Sequence, residues 1–382
     1  MREPERRLAS PRIRRGRLIK KARYTIPAVV LGLIAMFASG SGAQAATTIT
    51  VRTGDGAPGY SVNLFAPGAV YVQPGDTVKW TFPWQEPHSV TFGSPAGDPS
   101  VLVGGANPSF DGAGFISSGL IFGGAASTDT YSVTFPKKGT YAYFCILHPA
   151  MTGSVVVRTP DLGQPDNQAS VTARGNAVIA SAMAELRALA AATGAIQASV
   201  TPKPGGGRKF TLMISSLRDS AAGDVQQFFP ANASISLNDT VEWVSNVHTP
   251  HTVSFGNPGD VAKLIPPGGA EAILGLPQSI PAGGRYDGVG VATSAVLGIG
   301  FPAGTKFELT FTKAGTFDYY CLLHADQQMV AKVTVAGAAP GAPNTGTSAA
   351  IAEEDSSGAW ASLAAVLIIA ASVSAAFVSK RR

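Results

Sequence analysis

Charge is what this sequence has least of. Charged side chains make up 14% of the 382 residues, too few for a coiled coil, a helical bundle or a charged disordered tail. Cysteine is scarcer, with Cys145 and Cys321 alone in the whole chain, so at most one disulfide can form. Histidine occurs five times, as His88, His148, His248, His251 and His324. What the chain has in plenty is glycine (44) and proline (27), the composition of turn-rich β domains with a membrane segment at one or both ends. The length is enough for two or three ordinary domains. The formal net charge of +5 is no sign of nucleic acid binding. Residues 1–45 hold ten basic side chains against Glu3 and Glu5, and Lys380, Arg381 and Arg382 end the chain, so everything between carries an acidic excess.

Both ends read as export and anchoring. Residues 1–25 are basic, 26–37 form a short apolar run, and small residues lead to Ala43-Gln44-Ala45. This is the layout of a secretory signal peptide over 1–45, cleaved after Ala45 or Ala46, with an uncleaved anchor as the competing reading. A twin-arginine reading of Arg14-Arg15-Gly16-Arg17-Leu18 is weaker, because Arg17 stands where an apolar residue is expected. At the other end, residues 360–378 contain no charge and would span about 28 Å as a helix, close to a hydrocarbon core. Trp360 suits the outer interface and the basic tail at 379–382 the cytoplasm. The Pro/Gly/Ala/Ser linker at 337–359 includes Ala342-Pro343-Asn344-Thr345-Gly346. With the helix and tail, it resembles a sortase sorting signal in which Ala342 replaces the usual Leu. Residues 46–357 are therefore expected outside the membrane.

The middle is a duplication. Val78-Lys79-Trp80 recurs as Val241-Glu242-Trp243, and Pro87-His88-Ser89-Val90-Thr91-Phe92-Gly93 as Pro250-His251-Thr252-Val253-Ser254-Phe255-Gly256, at an offset of 163. Gly139-Thr140-Tyr141-Ala142-Tyr143-Phe144-Cys145 recurs as Gly315-Thr316-Phe317-Asp318-Tyr319-Tyr320-Cys321 at an offset of 176, so the second copy has 13 extra residues, expected as a surface loop between Gly256 and Tyr286. Tyr131, Val133 and Phe135 alternate with polar residues, as do Phe307, Leu309 and Phe311. Short strands separated by turns predict two β-sandwiches, at 47–158 and 207–336. Between them, 159–206 carries an Ala-rich segment at 177–192 with Ile179, Met183, Leu186 and Ala190 at helical spacing, followed by a Pro/Gly linker at 202–207.

The rare residues fall into two matching sets. His88 lies far upstream of Cys145, His148 and Met151, and His251 likewise precedes Cys321, His324 and Met329. A distant His, then Cys-x2-His with a Met close behind, is the donor set of a mononuclear blue copper site. A thiolate and two imidazoles form a trigonal plane, and a weak axial thioether lets neither oxidation state dictate the geometry. A Cys145–Cys321 disulfide would have to join two copies of one internal strand end, and the duplication of each Cys with its own His and Met speaks against it. Zinc gains nothing from methionine. His248 is left over, three residues before His251, and reads as a surface residue, with an electron port as the competing reading.

Both copies resemble cupredoxins of the plastocyanin–amicyanin type. Cys145, His148 and Met151, with Pro149 and Gly153, are similar to the short amicyanin-type loop. Cys321, His324 and Met329, with four residues between His and Met, are similar to the plastocyanin-type loop. The resemblance implies an all-β architecture of two tandem Greek-key sandwiches joined by a helical linker, with two type 1 copper sites and an electron-transfer role. Two positions depart from it. Ser89 and Thr252 stand where plastocyanins carry Asn, and Met329 is followed by Val330-Ala331 without a Gly, leaving Gln327 or Gln328 as an alternative axial donor. Multicopper oxidases also stack such domains, but their trinuclear cluster needs a further set of histidines, and here only His248 remains. No His-x-His pair exists, and no nucleophile–base arrangement surrounds His248. The expectation is therefore not an enzyme but a membrane-anchored electron carrier working with redox donor and acceptor proteins. A copper-buffering protein and a surface module that retained the fold are the alternatives. The loops also predict inequivalent sites, since two residues separate His148 from Met151 and four separate His324 from Met329.

Overall fold

The computed structural model describes residues 45–93, 100–106, 108–124, 130–148, 150–196, 198–268 and 270–337. The expected signal peptide, sorting motif, terminal membrane helix and basic tail lie outside them.

Alternation of apolar and polar side chains builds the strands. In Thr77–Thr81 the buried positions are Val78 and Trp80, and in Thr130–Thr134 they are Tyr131 and Val133. In the first copy, one sheet orders Tyr60–Ala66, Thr48–Ala57, Thr77–Thr81 and Thr130–Thr134. The facing sheet orders Ala69–Val72, Thr152–Val157, Gly139–Phe144, Thr91–Phe92 and Ile116–Ser117. The second copy repeats the plan. Ser199–Pro202, Arg208–Ile214, Thr240–Ser245, Lys306–Phe311 and Arg285–Tyr286 face Asn232–Ser236, Val330–Ala336, Gly315–Tyr320, Ser254–Phe255 and Ala292–Thr293. Each core is centred on a tryptophan. Trp80 packs edge-on to Phe92 and Tyr143 at 5.7 and 5.2 Å between ring centroids, and Trp243 does the same to Phe255 and Tyr319 at 5.6 and 5.3 Å. Such aromatic pairs add about 0.5–1.5 kcal/mol each beyond area burial.

The connecting helix runs from Gln168 to Gly194, longer than the 177–192 stripe suggested. Its first turns have few apolar residues and are held by polar contacts. Asn167 accepts the Ser170 N–H, and Arg174 pairs with Asp166, which also accepts from the Tyr71 N–H and the Ser170 hydroxyl. Gly175 lets the helix lie close to the sheet, since a Cβ there would come within 2.8 Å of the Ala66 carbonyl oxygen. Further along, Ala182, Met183, Leu186, Leu189 and Ala190 cluster with Val62 of the first copy and with Ala222, Val225 and Phe229 of the second. The helix is long and apolar enough to cross a membrane by length and composition, but its apolar stripe serves this junction.

Three segments depart from their expected roles. Residues 202–207, expected as a linker, form a turn: Ser199–Pro202 pairs antiparallel with Arg208–Ile214, and the positive φ angles of Gly205, Gly206 and Gly207 close the hairpin. The extra residues of the second copy, expected as loop, include a short helix, Pro258–Ala262, capped by Asn257, with buried Val261. Most consequential is Gly223–Val225, a strand from the second copy that pairs with Tyr60–Ala66 of the first and so extends the first copy's sheet. A Cβ at Gly223 would lie 2.0 Å from the Ser61 carbonyl oxygen, so this approach requires glycine.

Candidate metal centre

Each donor set assembles at one end of its sandwich. His88 closes the two-residue strand Pro87–His88, and Cys145 follows the strand Gly139–Phe144. The Cys145 N–H donates to the Met151 carbonyl (3.0 Å) and the Met151 N–H to the His148 carbonyl (2.8 Å), which folds Cys, His and Met into one loop. In the second copy the matching bonds, Cys321 to Met329 and Met329 to His324, are 3.0 and 3.1 Å. Nδ1 of His88 and Nδ1 of His148 are 3.1 Å apart, and they lie 3.9 and 3.5 Å from the Cys145 sulfur. The second triangle has edges of 3.2, 3.9 and 3.4 Å among His251, His324 and Cys321. Such edges suit a cation bound to nitrogen and sulfur at about 2.0–2.3 Å. All six side chains are buried, the most exposed being His148 at 5%. Met151 and Met329 are fully buried. Gln328 is exposed and left-handed, and the Gln327 amide donates to the Gln85 carbonyl, so both amides are drawn away from the loop's interior. Both cysteines are free, each within its own triad.

The thiols sit in an environment that favours thiolate. The Ser89 and Thr252 backbone N–H groups donate to Cys145 and Cys321 sulfur, both at 3.3 Å. The hydroxyls of the same two residues accept from the N–H after each cysteine, Ile146 and Leu322. This is what replaces the expected Asn. Burial alone would raise both thiols, but the adjoining histidines prevail. Cys145 is held well below the usual thiol range and Cys321 is brought down to about 5.

The outer nitrogens of the rings were not legible from spacing. His148 Nε2 lies 3.4 Å from Glu86 Oε1, and His324 Nε2 lies 3.0 Å from Glu86 Oε2. Glu86 is wholly buried, and its Oε2 also accepts from the Gln226 amide at 2.6 Å. Burial on its own would raise the Glu86 carboxyl, but the facing His324 and His148 hold it well below the usual carboxylate range. His251 Nε2 lies 3.1 Å from Asp224 Oδ2, and Asp224 Oδ1 accepts from the Ser215 hydroxyl at 2.6 Å. Despite burial, which disfavours charge, the carboxylates and thiolates bring His251 up to about 9 and His148 up to about 10. His88 differs: among the described residues no carboxylate pairs with its Nε2, which faces the bare backbone of Gly54. His248 belongs to neither triad. It is half-exposed and pairs with Asp219 at 2.7 Å.

The structure thus brings together the side chains singled out by spacing, and sequence reasoning missed Glu86, Asp224 and Gln226. Glu86 had one available signal, since it stands two residues before His88 where the repeat has Thr249 before Pro250-His251. Asp224 and Gln226 lie in a segment of the second copy where no repeat was visible.

Comparison with known proteins gives a consistent result. The sequence profile of the copper binding proteins of the plastocyanin/azurin family matches residues 59–158 and 215–336. A plastocyanin of Solanum tuberosum is 28% identical over 108 residues, covering 28% of this chain and 86% of that protein. Amicyanin-alpha of Methylorubrum extorquens is 34% identical over 88 residues, covering 23% of this chain and 59% of that protein. Among solved structures, amicyanin from Paracoccus versutus aligns at 23% identity over 29% of this chain and 81% of that one, with a TM-score of 0.21.

Proposed function

Because the chain belongs to the plastocyanin/azurin family of copper binding proteins, we propose that it carries single electrons at two type 1 copper sites. The first would be held by His88, Cys145, His148 and Met151, and the second by His251, Cys321, His324 and Met329. The observation that carries this reading is the repeated buried triangle of one sulfur and two Nδ1 atoms, each with a buried methionine in the same loop. Copper bound there supplies one-electron chemistry between Cu(I) and Cu(II). The chain does the rest. Backbone N–H groups hold the thiolate in place, hydrogen-bonded loops fix the Met and His spacing, and the donor side chains are buried. Electron exchange with donor and acceptor proteins fits this arrangement better than catalysis.

Copper-loaded full-length protein should contain two coppers per chain and show an intense thiolate-to-copper visible band. Cys145→Ser and Cys321→Ser should each leave one copper and the band of the other site alone. Metal analysis giving no copper would sink the reading, and tight Cu(I) binding without reoxidation would replace it with copper buffering.

The proposal places both copper domains outside the cell membrane, exported by 1–45 and anchored by 360–378, with 342–346 as a candidate point of sortase processing. Protease added to spheroplasts should remove both domains together. Protection of either domain refutes this orientation.

A further inference from the structure

The two triads do not work at opposite ends of the molecule. One residue, Glu86, stands between them. It comes from the first copy, yet its carboxylate reaches the outer nitrogen of a donor histidine in each: His148 at 3.4 Å and His324 at 3.0 Å. Nδ1 of each ring faces its own cysteine and companion histidine, and Nε2 faces Glu86. One ring, one carboxylate and one ring therefore connect the first donor triangle to the second.

This arrangement is held from both copies. The Gln226 amide donates to Glu86 Oε2 at 2.6 Å, and the Gln226 backbone N–H donates to the Gly59 carbonyl of the first copy at 2.9 Å. The Gly59 N–H donates in turn to the Gln327 carbonyl at 2.9 Å, and the Gln327 amide donates to the carbonyl of Gln85, the neighbour of Glu86. Bulk solvent is kept away, since Glu86, Gln226 and His324 are fully buried and His148 is 5% exposed. A carboxylate in such a place costs several kcal/mol of desolvation unless it is paired. The His148 and His324 rings at ion-pair distance and a hydrogen bond from the Gln226 amide provide that pairing. The repeat position holds Thr249. One carboxylate, from the first copy, lies against both rings.

We propose that Glu86 is a positioning residue that fixes both histidines by their Nε2 atoms and carries an electron directly from one metal site to the other. The inference rests on the copper reading above. In the step, copper at one site is oxidised from Cu(I) to Cu(II) and copper at the other is reduced from Cu(II) to Cu(I). Each ring keeps its Nε2 proton, so no proton is released and no outside reagent is consumed. Because the two rings share one anion, added positive charge at either site draws on the carboxylate at the expense of the other. The sites are coupled in potential as well as in rate. External partners must exchange electrons elsewhere than at the His148 and His324 edges, which face each other across Glu86.

The test uses full-length copper-loaded protein. Spectra of each site come from Cys145→Ser and Cys321→Ser, and a flash-generated one-electron reductant then starts redistribution of the electron between sites in the wild type. Glu86→Leu should slow that redistribution by about tenfold or more while both visible bands persist, and Glu86→Gln, which keeps part of the bridge, should fall between. A merely structural role would lower copper content or stability and leave the rate unchanged in molecules holding two coppers. That result overturns the proposal. If neither Glu86 variant loads copper, Gln226→Leu removes the anchor and leaves the carboxylate. Slower exchange then supports the bridge, and an unchanged rate overturns it. Coupling is read independently: the potential of each site should differ between the single-site variant and the wild type, and identical potentials overturn it. Failure of the wild type to bind two coppers would instead defeat the copper reading itself.

Discussion

Valine in place of Gly54 is expected to abolish copper binding at the first site and spare the second. Gly54 has φ +73, and a Cβ there would lie 2.3 Å from His88 Nε2 and 2.8 Å from its Cδ2. His88 is fully buried, with its Nδ1 3.1 Å from that of His148. A β-branched residue in left-handed backbone and an overfilled site together cost about 2–5 kcal/mol. The cheapest relief is displacement of the His88 ring, which takes its Nδ1 out of the triangle. Copper content should fall from two per chain to one, and the remaining spectrum should match that of Cys145→Ser. A variant that keeps two coppers and an unaltered spectrum would refute the argument. The second copy shows why glycine is specific to the first. Val51 pairs with Trp80 and Leu212 with Trp243, so Gly54 corresponds to Ser215. Ser215 has φ +62, the same left-handed backbone with a side chain added. That side chain donates to Asp224, the carboxylate that faces His251.

Asp224→Asn is expected to raise the reduction potential of the second site. A carboxylate against the outer N–H of a ligand imidazole makes the ring more electron-donating and favours the more positive metal state. Removing such a partner weakens metal binding about 10–100-fold. If that loss falls on Cu(II) alone, the potential rises by about 60–120 mV, at 59 mV per tenfold for one electron. Among the described residues no carboxylate pairs with His88, so in the wild type the first site should have the higher potential and hold the electron of a half-reduced molecule. The difference in loop length between the sites, two residues against four, gives inequivalence without a sign; Asp224 supplies the sign. Voltammetry of Asp224→Asn in a Cys145→Ser background isolates the second site. A potential that does not move would show that Asp224 only helps to hold the copies together.

The sequence made the donors legible because their chemistry is rare and repeated. Two cysteines and four of the five histidines fall into two matching patterns beside alternating strands, and the structure gathers each pattern into one buried group. The strands were legible for a related reason, since Trp80 and Trp243 each sit at the centre of the same short apolar alternation. What stayed hidden was everything that depends on how one copy meets the other. Glu86 looks like an ordinary loop acid two residues from His88, and only the arrival of His324 and Gln226 from the other copy makes it a bridge. Asp224 sits in a three-residue strand whose partner is some 160 residues earlier in the sequence, at Ser61. The first third of the connecting helix escaped notice because a cap, an ion pair and Gly175 hold it, and none of these adds to an apolar period.

The Gly223–Val225 strand changes what the ancestral duplication left behind. A freshly doubled gene encodes two self-sufficient halves, either of which can be lost without harm to the other. Here the second half supplies the border of the first half's sheet, and Asp224 sits opposite Ser61 in that pairing. Deleting the second half would leave Tyr60–Ala66 as a bare hydrogen-bonding edge, a template for association with other chains. A slip of one residue in the pairing would turn Asp224 away from His251. Backbone register between the halves therefore preserves a metal-site contact within one of them. The descendants of this duplication can no longer be inherited, shortened or recombined one domain at a time.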